Sequence, residues 1–183
     1  MNPLSQTLSL KETTFSLKRE WIDCILYSLV SFAIPFAFGQ PQIVIGSIVN
    51  CALILTALNL KNHRIFPVIL LPSVAVFSRG LIFGPFTIFL VYTMPFIWLG
   101  NSLLVLSVKH LYLSLRLNKY LSVAFGILIK VFVLYVSALI LIHLEILPKV
   151  FATSMGMLQL ITACIGSIMA LGIQQIINKK SGK

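Results

Sequence analysis

Carboxylates are nearly missing from this chain: Glu12, Glu20, Asp23 and Glu145 are the only acids among 183 residues. Glu12, Glu20 and Asp23 precede or begin the first long apolar run, so no apolar segment carries paired aspartates or an acid deep enough to bind a coupling ion. Cysteine is scarce as well. Cys24, Cys51 and Cys164 stand alone in separate apolar segments, with no CxxC and no Cys/His pair at metal-ligand spacing. That excludes an iron–sulfur or zinc site, and the odd count argues against a disulfide framework. These cysteines read as buried apolar thiols. His63, His110 and His143 fall near the ends of apolar runs, and the HExxH, GxSxG and GxxxxGK[ST] patterns are all missing. The expectation is a protein that is not an enzyme, binds no cofactor or metal, and cannot hydrolyse ATP by itself. Charged residues make up 10% of the chain, against about 25% in an ordinary soluble domain.

What is present is apolar side chain. Hydrophobic residues make up 58% of the sequence, and its mean hydropathy is +1.01. A soluble fold of this length has too much surface for its volume to hide that much. Six apolar segments follow one another: 21–38, 42–60, 65–83, 86–108, 120–144 and 150–177. Each is long enough to cross a bilayer core, which takes about 20 residues of α-helix. The runs are too long and too uniform for the alternating strands, about 10 residues each, of a membrane barrel. The predicted fold is all-α, a polytopic integral membrane bundle of six transmembrane helices. Residues 1–20 are read as a polar cytoplasmic segment without the apolar stretch of a signal peptide. Residues 21–177 form the single membrane domain, and 178–183 a basic tail.

The formal charge of +10 invites a nucleic-acid reading, but the basic residues are spread between apolar runs rather than gathered in a patch. Positive charge that alternates loop by loop is instead the mark of cytoplasmic loops. With the N-terminus inside, the inner segments are the N-terminus, 61–64, 109–119 and the C-terminus. They hold eleven Lys and Arg residues, whereas the outer turns at 39–41 and 145–149 hold Lys149 alone. Arg79 lies close to the remaining outer turn. Both termini are therefore expected in the cytoplasm, in the plasma membrane of a bacterial-type cell.

Ionisable groups inside the membrane are the best pointers to function, because each costs at least about 2.5–3.5 kcal/mol at the bilayer centre unless satisfied. Lys130 stands about ten residues into the fifth segment, with no acid at its depth. It reads either as a site for an anionic group or as a lysine capping helix-end carbonyls or lining a wet crevice. Arg79 stands near the Gly80, Gly84 and Pro85 break, where it can grip an anion or snorkel to headgroups. Asn50, Gln159 and Asn101 are amides at similar depth, each able to act simply as interhelical glue. Taken together, Arg79, Asn50, Lys130 and Gln159 come from four segments and would line one outward polar pocket. Trp98, Tyr92 and Tyr135 would supply aromatic walls or interface anchors. Gly156, Gln159, Ala163, Gly166 and Ala170 share one helix face, as do Ser122, Gly126, Lys130 and Ser137. Such small-residue faces admit a close neighbour.

In size, in its six spans, in its short outer turns and in lacking an ATPase motif, the chain resembles the substrate-binding S-components of energy-coupling-factor (ECF) transporters. The likeness covers the whole chain in architecture. It implies a membrane subunit that captures a vitamin, metal or other micronutrient from outside and docks on a coupling membrane protein carrying two ATPases. Family members make that contact through an Ala-xxx-Ala pattern on the first helix. Ala33 and Ala37 have the spacing, with Pro35 between them as a departure. The expected partners are thus a small-molecule substrate bearing an anionic group, the coupling and ATPase subunits, and the lipid bilayer, with no nucleic acid. Two other readings stand beside this one. One is a non-catalytic envelope assembly or shape scaffold, which would leave a midplane lysine without purpose. The other is a small self-contained transporter, which would be expected to show internal repeats or a coupling-ion acid.

Overall fold

A computed structural model of the protein describes residues 3–12, 16–38, 40–83 and 87–180. Among them every regular element is helical. A short α1 (Pro3–Leu8) is followed by α2 (Leu17–Ala37), α3 (Gln42–Asn59), α4 (Ile65–Phe83), α5 (Thr87–Val108) and α6 (Lys119–His143). A short α7 (Val150–Met155) and α8 (Met157–Lys180) complete the chain. Among the described residues five stretches are long and apolar enough to cross a membrane: Leu17–Ala37, Gln42–Asn59, Phe89–Ser114, Lys119–His143 and Val150–Lys179. This is the make-up of a multi-pass membrane protein. Large apolar side chains on the bundle's outer faces agree with it, for Phe132 is 67% exposed and Ile168 73%. Helices suit such runs because each backbone N–H and C=O finds its partner within the same segment.

The helix ends follow local chemistry. Ser16 caps α2 by accepting from Arg19 N, and Asn118 caps α6 by accepting from Tyr120 N. At the far end of α6, Glu145 adopts a left-handed φ of 58°. Its N–H donates to Ile142 O and that of Ile146 to Leu141 O, a paired C-terminal closure usually built on glycine. Two boundaries differ from the sequence expectation. The fourth apolar segment runs on past Val108 as a π-helical turn, Lys109–Ser114, where a basic connector was expected. The last segment is interrupted at Gly156, which separates α7 from α8. The expected chain break at Gly84 and Pro85, the turn residue Gly39 and the tail residues 181–183 lie outside the described residues.

The core centres on α3, which packs against α2, α4, α5 and α8. From Val49 to Leu60 every residue of this stretch is buried. A helix apolar all round is expected to sit inside a bundle in this way. Its closest neighbour is α8, across the small-residue face read from the sequence: Ala163 and Ala170 are fully buried. At Gly166 an added Cβ would stand 2.5 Å from Ser47 O. The second small-residue face packs α6 on α5, with Ser122, Gly126, Lys130 and Ser137 all buried.

The polar N-terminal segment does not hang free. Residues 10–12 lie across the ends of α3, α5, α6 and α8. Lys109, wholly buried, donates through Nζ to Leu10 O and Leu60 O, each at 2.6 Å. Glu12 Oε1 accepts from Lys119 Nζ (2.5 Å), Asn178 Nδ2 (2.9 Å) and Tyr112 Oη (3.1 Å). Nearby, Glu20 binds Arg64 at 2.8 Å and Lys11 at 3.1 Å, and Arg19 binds Asp23 at 3.1 Å. The N-terminal segment, the 61–64 turn, the 109–119 connector and the end of α8 therefore meet at one end of the bundle.

Two predictions follow from this packing. Lys109→Ala leaves the buried Leu60 carbonyl without its donor, at about 1–3 kcal/mol, and releases the half-buried Leu10 carbonyl as well. The expected result is a lower thermal unfolding midpoint in detergent than wild type, with the helical content of the folded protein retained. The second prediction compares two glycines of α8. Gly166→Ala must push α3 and α8 apart and cost about 1–3 kcal/mol. Gly172, which has nothing within 4 Å of an added Cβ, should gain about 0.5–1 kcal/mol on substitution by alanine. The same melting experiment should move in opposite directions for the two.

Candidate functional site

The end of the bundle opposite the carboxylate cluster holds a cavity of about 570 Å³, within the range of small-molecule sites. Its walls come from the end of α2, the start of α3, the later half of α4, the first half of α5, the middle of α6 and the α7–α8 junction. Asn50, Arg79, Asn101, Lys130, Gln159 and Thr162 supply polar lining. The four residues that sequence depth alone had grouped, Arg79, Asn50, Lys130 and Gln159, are thus brought to one cavity.

Lys130 is the deepest group. It lies near the middle of α6, is 2% exposed, and donates from Nζ to Asn50 Oδ1 at 2.6 Å. Its depth follows from position, for eleven residues at about 1.5 Å each separate it from the start of α6. Asn50 is held in turn. Its Nδ2 donates to Gly46 O at 2.9 Å and to Thr162 Oγ1 at 3.2 Å, and Thr162 Oγ1 donates to Gln159 O at 3.2 Å. The chain Lys130–Asn50–Thr162 therefore links α6, α3 and α8. Close approach of α3 to α8 is what brings Thr162 within reach. An ammonium has three donors, and Asn50 takes one of them.

Arg79 lines the cavity from α4 and is tied to the end of α2. Its Nη1 donates to Phe36 O at 3.2 Å. That carbonyl belongs to the last turn of α2, where the helix has no partner of its own to offer, and a cation is favoured beside such an end. Asn101 Nδ2 donates to Ile69 O at 3.1 Å, tying α5 to α4 beside the cavity. Gln159, half-buried, lines the cavity with its side-chain amide unbonded among the described residues. Trp98 is not at the cavity. Its indole N–H donates to Ser73 Oγ at 2.5 Å, holding α5 on α4. Tyr92 and Tyr135 are exposed on outer faces. Ala33 and Ala37 lie four residues apart near the end of α2, Ala33 half-buried and Ala37 exposed.

Thr162 was missed from the sequence, although it stands three residues after Gln159 and four before Gly166, on the face that packs against α3. Cys164 was expected inside and is exposed instead, whereas Cys24 and Cys51 are buried. Cys164 follows the fully buried Ala163 by one position, about 100° around the helix, so it points away from α3. Among the described residues no group of three His, Cys, Asp or Glu side chains is placed to hold a metal ion. For binding, the cavity offers an ammonium, a guanidinium, the amides of Gln40, Gln42, Asn50, Asn101 and Gln159, and the hydroxyls of Ser73 and Thr162, set among apolar walls.

The Asn50–Lys130 contact yields a direct prediction. Asn50→Leu removes the one hydrogen-bond partner that the buried Lys130 ammonium has among the described residues and should cost about 1.5–3 kcal/mol, read as a lower unfolding midpoint. Gln159→Leu, which breaks no such bond, should leave the midpoint nearly unchanged. Comparison with known proteins adds no identity to this geometry: protein-family models, curated proteins and solved structures all give no match to the chain.

Proposed function

We propose that the chain is a six-span membrane protein of the plasma membrane, with both termini in the cytoplasm, and that it is the substrate-binding subunit of a small-molecule uptake transporter. Substrate enters the cavity from the outer side, and a separate coupling protein with ATPase subunits drives its release inward. Ala33 and Ala37 are the proposed contact with that coupling protein.

The observation that carries the reading is the buried cavity with Lys130 at its depth. A lysine with no carboxylate partner is costly inside a bilayer, and a pocket that receives an anionic substrate accounts for it. The meeting of the basic segments at one bundle end supports six alternating spans, with α4 as the sixth beside the five long apolar stretches. The rule that cytoplasmic loops are positive then places that end inside and the cavity toward the outside. The lack of a phosphate-binding loop is why a separate ATPase is needed.

Gentle affinity purification from the native host, followed by mass spectrometry, tests the reading. Recovery of a coupling membrane protein with ATPases is the expected outcome. Recovery of cell-wall synthesis or shape proteins, with no small molecule bound, would overturn it in favour of an envelope scaffold. Once a substrate is in hand, Lys130→Ala should abolish its uptake while expression stays near wild type. Unchanged uptake would remove the central residue of the proposal.

A further inference from the structure

The lining of the cavity is specific enough to name a ligand class. Among its described lining residues there is no Asp or Glu, and the cations are Lys130 and Arg79. Lys130 is 2% exposed, and its partner is a neutral amide oxygen. It keeps N–H donors for a further acceptor, and an ion pair is what relieves a buried charge. The unbonded amide of Gln159 offers a second donor in the same lining. A carboxylate has two oxygens and takes donors on both.

Beyond this polar spot Ile45, Val49, Met94, Ile97, Leu134 and Met155 form an apolar wall, while Gln40, Gln42, Ser73, Asn101 and Thr162 add neutral polar lining. Methionine at two of these positions gives a surface that adapts to irregular apolar shapes. A hydroxyl laid against that apolar wall would be left without a partner, at a cost for each one desolvated, whereas hydrocarbon carries no such cost. A second anionic group has no equal site, since Arg79 is only half-buried, so its charge needs a partner less than that of Lys130, and its Nη1 also serves Phe36 O at the end of α2.

We infer that the cavity takes a monoanionic organic acid with an apolar body, its carboxylate seated on Lys130 beside Asn50 and its hydrocarbon part against the Met94–Leu134–Met155 wall. The inference rests on the reading of the cavity as a substrate site. The pairing supplies the missing counter-charge of Lys130, and the apolar body matches the wall it displaces water from. The orientation follows as well: the acid goes in first, toward the bundle centre.

The test uses the full chain in lipid nanodiscs and isothermal titration calorimetry. The probes are straight-chain monocarboxylates from hexanoate to dodecanoate and phenylalkanoates, each matched with its primary amide and with a dicarboxylate of the same length. At least one acid should bind about tenfold or more tightly than its amide, in line with a charge-assisted contact. Asn50→Asp is the decisive variant. It is nearly isosteric and sets a carboxylate 2.6 Å from the Lys130 ammonium, in the place of Asn50 Oδ1. It gives up the amide donation to Gly46 O, so retention of the fold is checked by helical content, and in the folded variant the preference for acid over amide should be erased. Three results would overturn the inference: no acid binding more tightly than its amide, a preference that survives Asn50→Asp, or dicarboxylates binding more tightly than monocarboxylates. The transporter reading fails on different evidence. An intact acid preference without any coupling partner on purification sinks the transporter and supports the ligand class. Coupling partners without an acid preference do the reverse.

Discussion

Lys130 Nζ meets Asn50 Oδ1 at 2.6 Å in the middle of a bundle whose outer faces are hydrocarbon. An ammonium at that depth cannot be left to itself, and the chain has no acid there to neutralise it. The neighbourhood is arranged accordingly. Asn50 turns its oxygen to the lysine, and its nitrogen is fixed by Gly46 O and Thr162 Oγ1. That arrangement needs α3 and α8 in close approach, which Gly166 and Ala163 permit. The small residues of α8 and the polar site of α6 are thus parts of one requirement. A larger side chain at Gly166 would move Asn50 as well as the helix that carries it.

The bundle separates its two kinds of polar chemistry. At one end, Glu12, Glu20 and Asp23 meet Lys11, Arg19, Arg64 and Lys119 in ion pairs, and Lys109 joins the N-terminal segment to α3. Toward the other end lies a cavity lined by cations and amides with no acid among its described residues. Ion pairs are tolerable where water and headgroups reduce the desolvation cost. Three of the four acids, Glu12, Glu20 and Asp23, are engaged at the opposite end, and Glu145, at the far end of α6, is not among the residues lining the cavity. A carboxylate near Lys130 would neutralise it and make a poorer anion site.

Much of this was legible in the sequence. Runs of twenty or so apolar residues can satisfy their backbone in lipid only as helices, so the helical class and most element positions were plain. The spacing of Gly156, Gln159, Ala163, Gly166 and Ala170 announced a close-packed face, because positions three and four apart share one side of a helix. Depth along each helix placed Arg79, Asn50, Lys130 and Gln159 in a common layer, and they share the cavity. Depth does not give azimuth, and there the reading fell short. Trp98 has a suitable height but turns its indole to Ser73 rather than into the cavity. Cys164 points outward for the same kind of reason. The docking of residues 10–12 left no local trace, because a polar segment looks alike whether it is free or tied down by partners about a hundred positions away.

Composition and periodicity by themselves settled that this is an α-helical chain made for lipid, since hydropathy and backbone hydrogen bonding are properties of each segment taken alone. The same local information marked Lys130 as anomalous, because an unneutralised charge in an apolar run is visible without any fold. Only the tertiary structure decided what Lys130 faces, that Arg79 is engaged with the end of α2, and that Lys109 is buried rather than exposed in a loop. Those outcomes depend on which helices are neighbours and how each is rotated. Such choices are set by side-chain packing between segments far apart in the chain.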